Sequence, residues 1–141
     1  MDSKIDPKVF GKFQLTSSKN FDEFMRALGV SYVARTIGNK SKPLFTVSAL
    51  DDKIISFKQE SLFTPSELSF QLGVPFDETT PDGRKVKSIM THVGPNSIKH
   101  TMNGTDGGKD SVVVRTFFAD EMHCVCKVDD IESTRIYKRL K

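Results

Sequence analysis

From Leu44 to the end of the chain the apolar residues recur with a period of two, and this alternation is what most limits the fold. Ile55, Phe57 and Phe63 share one parity, and Leu68, Phe70 and Leu72 repeat the pattern beyond the Thr64-Pro65 turn. Turn chemistry recurs at Asp51-Asp52, Thr80-Pro81-Asp82-Gly83, Gly94-Pro95-Asn96, Asn103 to Gly108, Ala119-Asp120 and Asp129-Asp130. The segments between are strands of ordinary length, so the residues predict an antiparallel meander of eight or nine strands. A meander that long avoids exposed edges by curling into a closed or nearly closed β-barrel.

The start of the chain reads differently. Residues 1–8 are polar and broken by Pro7, and are expected to be a short tail ahead of a single domain spanning 9–141. Val9 to Leu15 alternates as a half-buried strand, with Phe13 and Leu15 on one parity. Ser17-Ser18-Lys19-Asn20 then offers capping residues for a short helix carrying Phe21, Phe24, Met25 and Leu28, which Gly29 ends. Ser31 is expected to cap a second helix with Val33, Ile37 and Ala34 as its apolar stripe, closing near Gly38-Asn39. Two short helices beside a barrel would cover an opening.

Near the end of the chain, strand parity places Arg135 and Tyr137 on one face while Ile136 points the other way. Arg115 follows Val112-Val113-Val114 and shares a face with Val113 and Phe117. Guanidinium keeps its charge at ordinary pH and its planar fork matches a carboxylate, so two inward arginines and a tyrosine hydroxyl would form a carboxylate receptor. The residues alone leave a second reading open, in which both arginines sit on solvated strand faces.

No catalytic or metal-binding set emerges, and no cofactor is expected. His92, His100 and His123 are scattered without ligand spacing and are read as satisfied or solvated side chains. Gly107-Gly108-Lys109 lacks the remaining positions of a phosphate loop and reads as a hairpin loop. Cys124 and Cys126 lie two apart on one strand face, too far apart for ordinary disulfide geometry. They are expected to be free thiols on the cavity wall. A net charge of +3 permits attraction to acidic membranes but is too low for a duplex-binding module, so no nucleic-acid partner is expected. Met1 to Phe10 has no apolar core, and no run approaches the ~18 apolar residues of a membrane span, so a cytoplasmic monomer is expected.

The residues also carry a resemblance. Gly11-Lys12-Phe13-Gln14-Leu15, Asn20 to Met25 and Leu28-Gly29-Val30 are similar to the opening of the intracellular fatty-acid-binding proteins. Lys42-Pro43, Ser61-Leu62-Phe63, Phe70 to Gly73, Phe76 to Thr80, Arg84 to Ser88 and the closing Arg135-Ile136-Tyr137 follow in the same order. The resemblance implies an all-β, ten-stranded antiparallel β-barrel, or β-clam, capped by a helix-turn-helix lid. It implies that Arg115, Arg135 and Tyr137 hold a ligand carboxylate, and that Phe21, Phe24 and Met25 line the lid side. Ile37, Phe63 and the Asp82-Gly83-Arg84 segment would form a portal. The implied function is non-catalytic binding and transport of long-chain fatty acids, with retinoic acid as the runner-up. From a different class comes a mainly membrane-associating role, with Lys19, Arg26, Arg35, Lys40 and Lys42 of the lid docking on anionic lipid.

Overall fold

A computed structural model describes residues 5–62 and 65–141 of the chain. A single 3-10 turn, Pro7–Val9, is followed by strand β1 (Gly11–Lys19), helices α1 (Phe21–Ala27) and α2 (Tyr32–Lys40), and then strands only. These are β2 (Leu44–Ala49), β3 (Ile54–Glu60), β4 (Ser66–Gln71), β5 (Phe76–Thr79), β6 (Lys85–Gly94), β7 (Ser97–Gly104), β8 (Ser111–Phe117), β9 (Glu121–Val128) and β10 (Ile131–Arg139). They form one sheet of ten strands, in the order β4-β3-β2-β1-β10-β9-β8-β7-β6-β5, with every pairing antiparallel. The meander is thus as expected, with more strands than the alternation alone suggests. The four-residue β5 is too short to display a period.

β1 pairs with β10, which closes the wall, while β4 and β5 form the two ends of the strand order. Side chains bridge that seam where the backbone does not. Phe45, Phe57 and Phe70 meet edge-on at 4.9 and 4.8 Å between ring centroids, and Phe70 stacks on Phe76 at 6.3 Å across the β4/β5 boundary. Such aromatic pairs contribute roughly 0.5–1.5 kcal/mol each beyond their area burial.

The closed end is filled by Phe13, Met90, Ile98, Phe117 and Met122, none of which reaches solvent. Residues 5–8, read as tail, are engaged here. Asp6 caps the 3-10 turn through Lys8 N–H and donates its own N–H to Pro95 O at 2.8 Å, and Val9 is fully buried.

At the other end lie the helices, and two expectations change. Asn20 is not a side-chain cap: β1 continues through Lys19, and Asn20 turns the chain in the left-handed region (φ 62°) with its amide directed to Glu132 O. Asn tolerates that conformation better than most residues, which explains its place there. Ser31 does cap α2, accepting from Ala34 N–H at 3.2 Å. The α2 stripe, however, points outward: Val33 is 69% exposed and Ile37 37%, and only Gly38 is buried. The helix lies over an opening, so it has no core to pack against and is fastened by polar contacts. Asp22 Oδ1 accepts from Asn39 Nδ2 at 2.9 Å and from Arg35 Nε at 3.1 Å, while Arg35 Nη1 donates to Val30 O at 2.9 Å. The hydrogen bond from Asn39, with those from and the charge of Arg35, holds Asp22 below the usual carboxylate range.

Candidate functional site

Inside the barrel a cavity runs from beneath the helices, with about 1000 Å³ of atom-free space, part of it continuous with solvent. Alternation builds its wall, since every second side chain of a strand faces inward. Of the residues read from the sequence, Phe21, Phe24, Cys124, Cys126, Arg115, Arg135 and Tyr137 line this cavity, and Met25 lines an adjoining one under the helices. Ile37 lies on the outer side of α2 and is absent from both walls, whereas Asp82 and Arg84 line both. Phe63 lies outside the described residues.

Register explains why the polar groups converge. Arg135 on β10 stands opposite Cys124 on β9, and Cys124 stands opposite Arg115 on β8, so the three form one row across the sheet. Tyr137 is the next inward residue on β10 and pairs with Met122. Arg135 is 5% exposed and Arg115 is half-buried with its Nε and Nη1 away from solvent, and both line the cavity, which rules out the solvated-face reading for the two arginines; Tyr137 beside them is buried as well. Burial holds the Tyr137 hydroxyl protonated, and thus able to donate a hydrogen bond.

The arginines are held by aromatic faces more than by acids. Arg115 Cζ lies 4.8 Å from the Phe45 ring centroid and 5.2 Å from that of Phe57, reaching across the interior to β2 and β3. Arg135 Cζ lies 3.6 Å from the Phe21 ring of α1. Ring faces attract a cation without accepting its in-plane hydrogens. Consequently Arg115 Nε and Nη1 and Arg135 Nε are buried with no hydrogen-bond partner among the described residues. Buried guanidinium N–H groups in that state favour an anion or another strong acceptor.

A second polar cluster went unseen in the sequence. Glu78 Oε1 lies 2.8 Å from His100 Nε2 and accepts from Ser88 Oγ at 2.8 Å. Burial, reinforced by the charge of Arg115, pulls His100 below its ordinary value, so at neutral pH it is uncharged and donates Nε2–H to Glu78. Burial alone would raise Glu78, but the His100 and Ser88 hydrogen bonds and the Arg115 charge outweigh it and leave the carboxyl lowered. The sequence signal was faint: Glu78, Ser88 and His100 each share parity with apolar inward neighbours, but on three different strands. Of the other histidines, His123 is solvated and contacts Glu121 at 2.9 Å, as expected. His92 departs from expectation, because its Nε2 is buried without a hydrogen-bond partner among the described residues.

Both cysteines are free and buried, with their sulfur atoms 3.8 Å apart. Among the described residues no cluster of three or more His, Cys, Asp or Glu side chains is placed to hold a metal ion, and no helix is long and apolar enough to cross a membrane.

The model of the lipocalin / cytosolic fatty-acid binding protein family matches residues 10–139. The chain belongs to that family. Family membership covers nearly the whole barrel and places the chain among binding proteins rather than enzymes. Among relatives, fatty acid-binding protein 9 of Homo sapiens is 39% identical over 136 residues, covering 96% of this chain and 99% of the relative. The muscle fatty acid-binding protein of Schistocerca gregaria is 35% identical over 127 residues, covering 90% and 92%. A solved structure of a Schistosoma mansoni fatty acid binding protein in complex with arachidonic acid superposes with a TM-score of 0.91 at 36% identity, covering 96% of this chain and 98% of that one. The β-clam with its helix-turn-helix cap is therefore the fold of this family member.

Proposed function

We propose that the chain binds and carries long-chain fatty acids in the cytosol as a monomer, with the carboxylate held by Arg115, Arg135 and Tyr137. The observation that carries this reading is the set of buried guanidinium N–H groups without acceptors among the described residues, facing a cavity whose apolar wall is formed by Phe21, Phe24, Phe45, Phe57, Met102 and Val113. A carboxylate supplies what those groups lack, and an acyl chain fits the rest. The similarity to fatty-acid-binding relatives, one of them solved with arachidonic acid, supports the same class of ligand.

Magnitudes assign affinity and orientation to different parts of the ligand. Roughly a dozen buried methylenes contribute on the order of 10 kcal/mol at ~0.8 kcal/mol each. Charge-assisted hydrogen bonds add about 2 kcal/mol apiece, partly offset by desolvating both partners. The tail therefore binds and the head group orients. A neutral alcohol would leave the arginine N–H groups unpaired, so acid is preferred to alcohol.

The test is calorimetric titration with a fatty acid and its matching alcohol, using wild type and the Arg135→Gln and Arg115→Gln variants. Wild type should favour the acid, and each change should cost about 2 kcal/mol for the acid while affecting the alcohol less. Equal affinity for both ligands, unaltered by either substitution, would show that the carboxylate sits elsewhere.

Ligand exchange with membranes belongs to the same reading. Tyr32 and Val33 on α2 and Leu62 beyond β3 are 75%, 69% and 65% exposed, with the exposed cations Lys40 and Lys42 alongside in sequence. An exposed apolar face beside cations suits transient contact with an anionic bilayer. Arg35 contributes less to such contact, because Asp22 and Val30 O already engage it.

A further inference from the structure

Cys124 occupies the middle of the row formed with Arg115 and Arg135, directly opposite both in register. Its thiol faces the same cavity as the two guanidinium groups and lies 3.8 Å from the Cys126 thiol. Burial ordinarily keeps a thiol protonated and unreactive. Here the hydrogen bond shared with Cys126 outweighs burial, and the charges of Arg115 and Arg135 add to it, drawing Cys124 below the ordinary thiol value. The same coupling, together with burial, pushes Cys126 up. A nucleophile thus lies between two cations whose N–H groups lack acceptors, one of them the 5% exposed Arg135.

A carboxylate in this position is not attacked, because its carbon is not electrophilic. An aldehyde on the same chain would bring an electrophilic C1 to the same place. We propose that the head-group site also takes long-chain aliphatic aldehydes, which Cys124 captures reversibly as a hemithioacetal while the arginine N–H groups hold the new oxygen. This rests on the reading that Arg115 and Arg135 receive the ligand head group.

In the step, Cys124 Sγ bonds to C1 and the C1=O π bond breaks. Its electron pair moves to oxygen, and the proton released by the thiol ends on that oxygen as a hydroxyl. Neither an oxidant nor a reductant takes part, and reversal returns aldehyde and thiol. Thiol addition to a simple aldehyde is weak in water, but burying the chain holds C1 against Sγ, and effective molarities for well-held pairs reach roughly 10⁵ M or more. Donors aimed at the developing oxyanion favour the adduct further. Cys126 cannot substitute, since its register partners are Val113 and Ser133 rather than the arginines.

The experiment is carbon NMR of hexadecanal labelled at C1, added to wild type, Cys124→Ser, Cys124→Ala and Cys126→Ser, beside calorimetric titration of wild type with hexadecanoic acid. In wild type and Cys126→Ser the C1 resonance should leave the carbonyl region for that of a carbon bearing one oxygen and one sulfur, distinct from the hydrate. It should not do so in either Cys124 variant, and excess hexadecanoic acid should release the aldehyde from wild type. An adduct that survives in both Cys124 variants overturns the assignment. So does wild type that binds hexadecanoic acid yet forms no adduct, an outcome that leaves the carboxylate reading standing. If wild type binds neither ligand, the head-group reading fails and the aldehyde proposal falls with it.

Discussion

Two arginines on β10 do opposite kinds of work. Arg135 points into the cavity with an N–H left over, whereas Arg139 closes the far end of the barrel and is saturated by backbone. Arg139 Nε donates to Ala119 O at 2.9 Å, Nη1 to Phe10 O at 2.8 Å, and Nη2 to Phe118 O at 2.9 Å and to Lys8 O, while its Cζ sits 4.5 Å from the Phe13 ring centroid. It thereby ties β1, the β8–β9 turn and the 3-10 turn together. Replacing Arg139 with Ala should lower unfolding stability by roughly 1–2 kcal/mol, because four carbonyls, one of them half-buried, lose their donor together and the Phe13 ring loses its cation. Gly11 serves the same junction: its φ is +148°, and a Cβ there would come within 2.5 Å of Arg139 Nη1. That guanidinium cannot swing away without losing its carbonyls, so Gly11→Ala should cost about 1–2 kcal/mol. Urea denaturation of both variants checks these values. An Arg139→Ala midpoint equal to wild type would mean that the network is not a structural tie.

At the scale of elements, the lid is fastened at points rather than along a surface. Asp22 joins α1 to α2 through Asn39 and Arg35, and Arg135 joins α1 to the barrel through Phe21. Asp22→Ala removes the shared acceptor without touching the cavity wall of the main pocket. Ligand dissociation should become several-fold faster while equilibrium affinity changes little, because the chain and head group keep their partners. Stopped-flow release of a fluorescent fatty acid checks the rate, and an unaltered rate would show that the clasp does not gate exchange. Charge on the exposed lid should matter for delivery: Arg26→Ala with Lys40→Ala should slow transfer to anionic vesicles at low salt and lose its effect at high salt. Transfer unaffected by the double change at low salt would remove the helices from the docking step.

For the molecule as a whole, the buried polar clusters tie stability to pH. His100 is lowered from 6.5 in the folded chain, so between that value and its folded one the unfolded chain binds more protons. Stability should therefore decline as pH falls below 6.5. Glu78, also lowered, acts in the same direction at lower pH, where protonation would cost the acceptor of His100 and Ser88. The contribution is present above the ordinary carboxyl value and is lost as pH falls through the folded one. Urea midpoints measured from neutral pH downward should fall for wild type and fall less for His100→Gln. Parallel pH dependences for the two would assign the acid sensitivity to other groups.

Much of the architecture is legible in the chain because it is written in neighbouring residues. Alternation marks the strands, Gly29 and Ser31 mark the helix boundary, and parity alone puts Arg135 and Tyr137 on one face and Arg115 with Val113 and Phe117 on another. Parity cannot say which rows of different strands meet. That Cys124 lies between the two arginines, that Glu78 reaches His100 over 22 residues, and that Arg139 reaches Lys8 over 131 follow from register and closure. Local pattern misleads in the same way at α2. Val33 and Ile37 carry a core-facing spacing, but α2 lies over an opening, and the stripe is left to solvent. A period reports which side chains share a face; what that face meets is decided by long-range packing, and in this barrel the packing brings two cavity-lining cations and a thiol into one row.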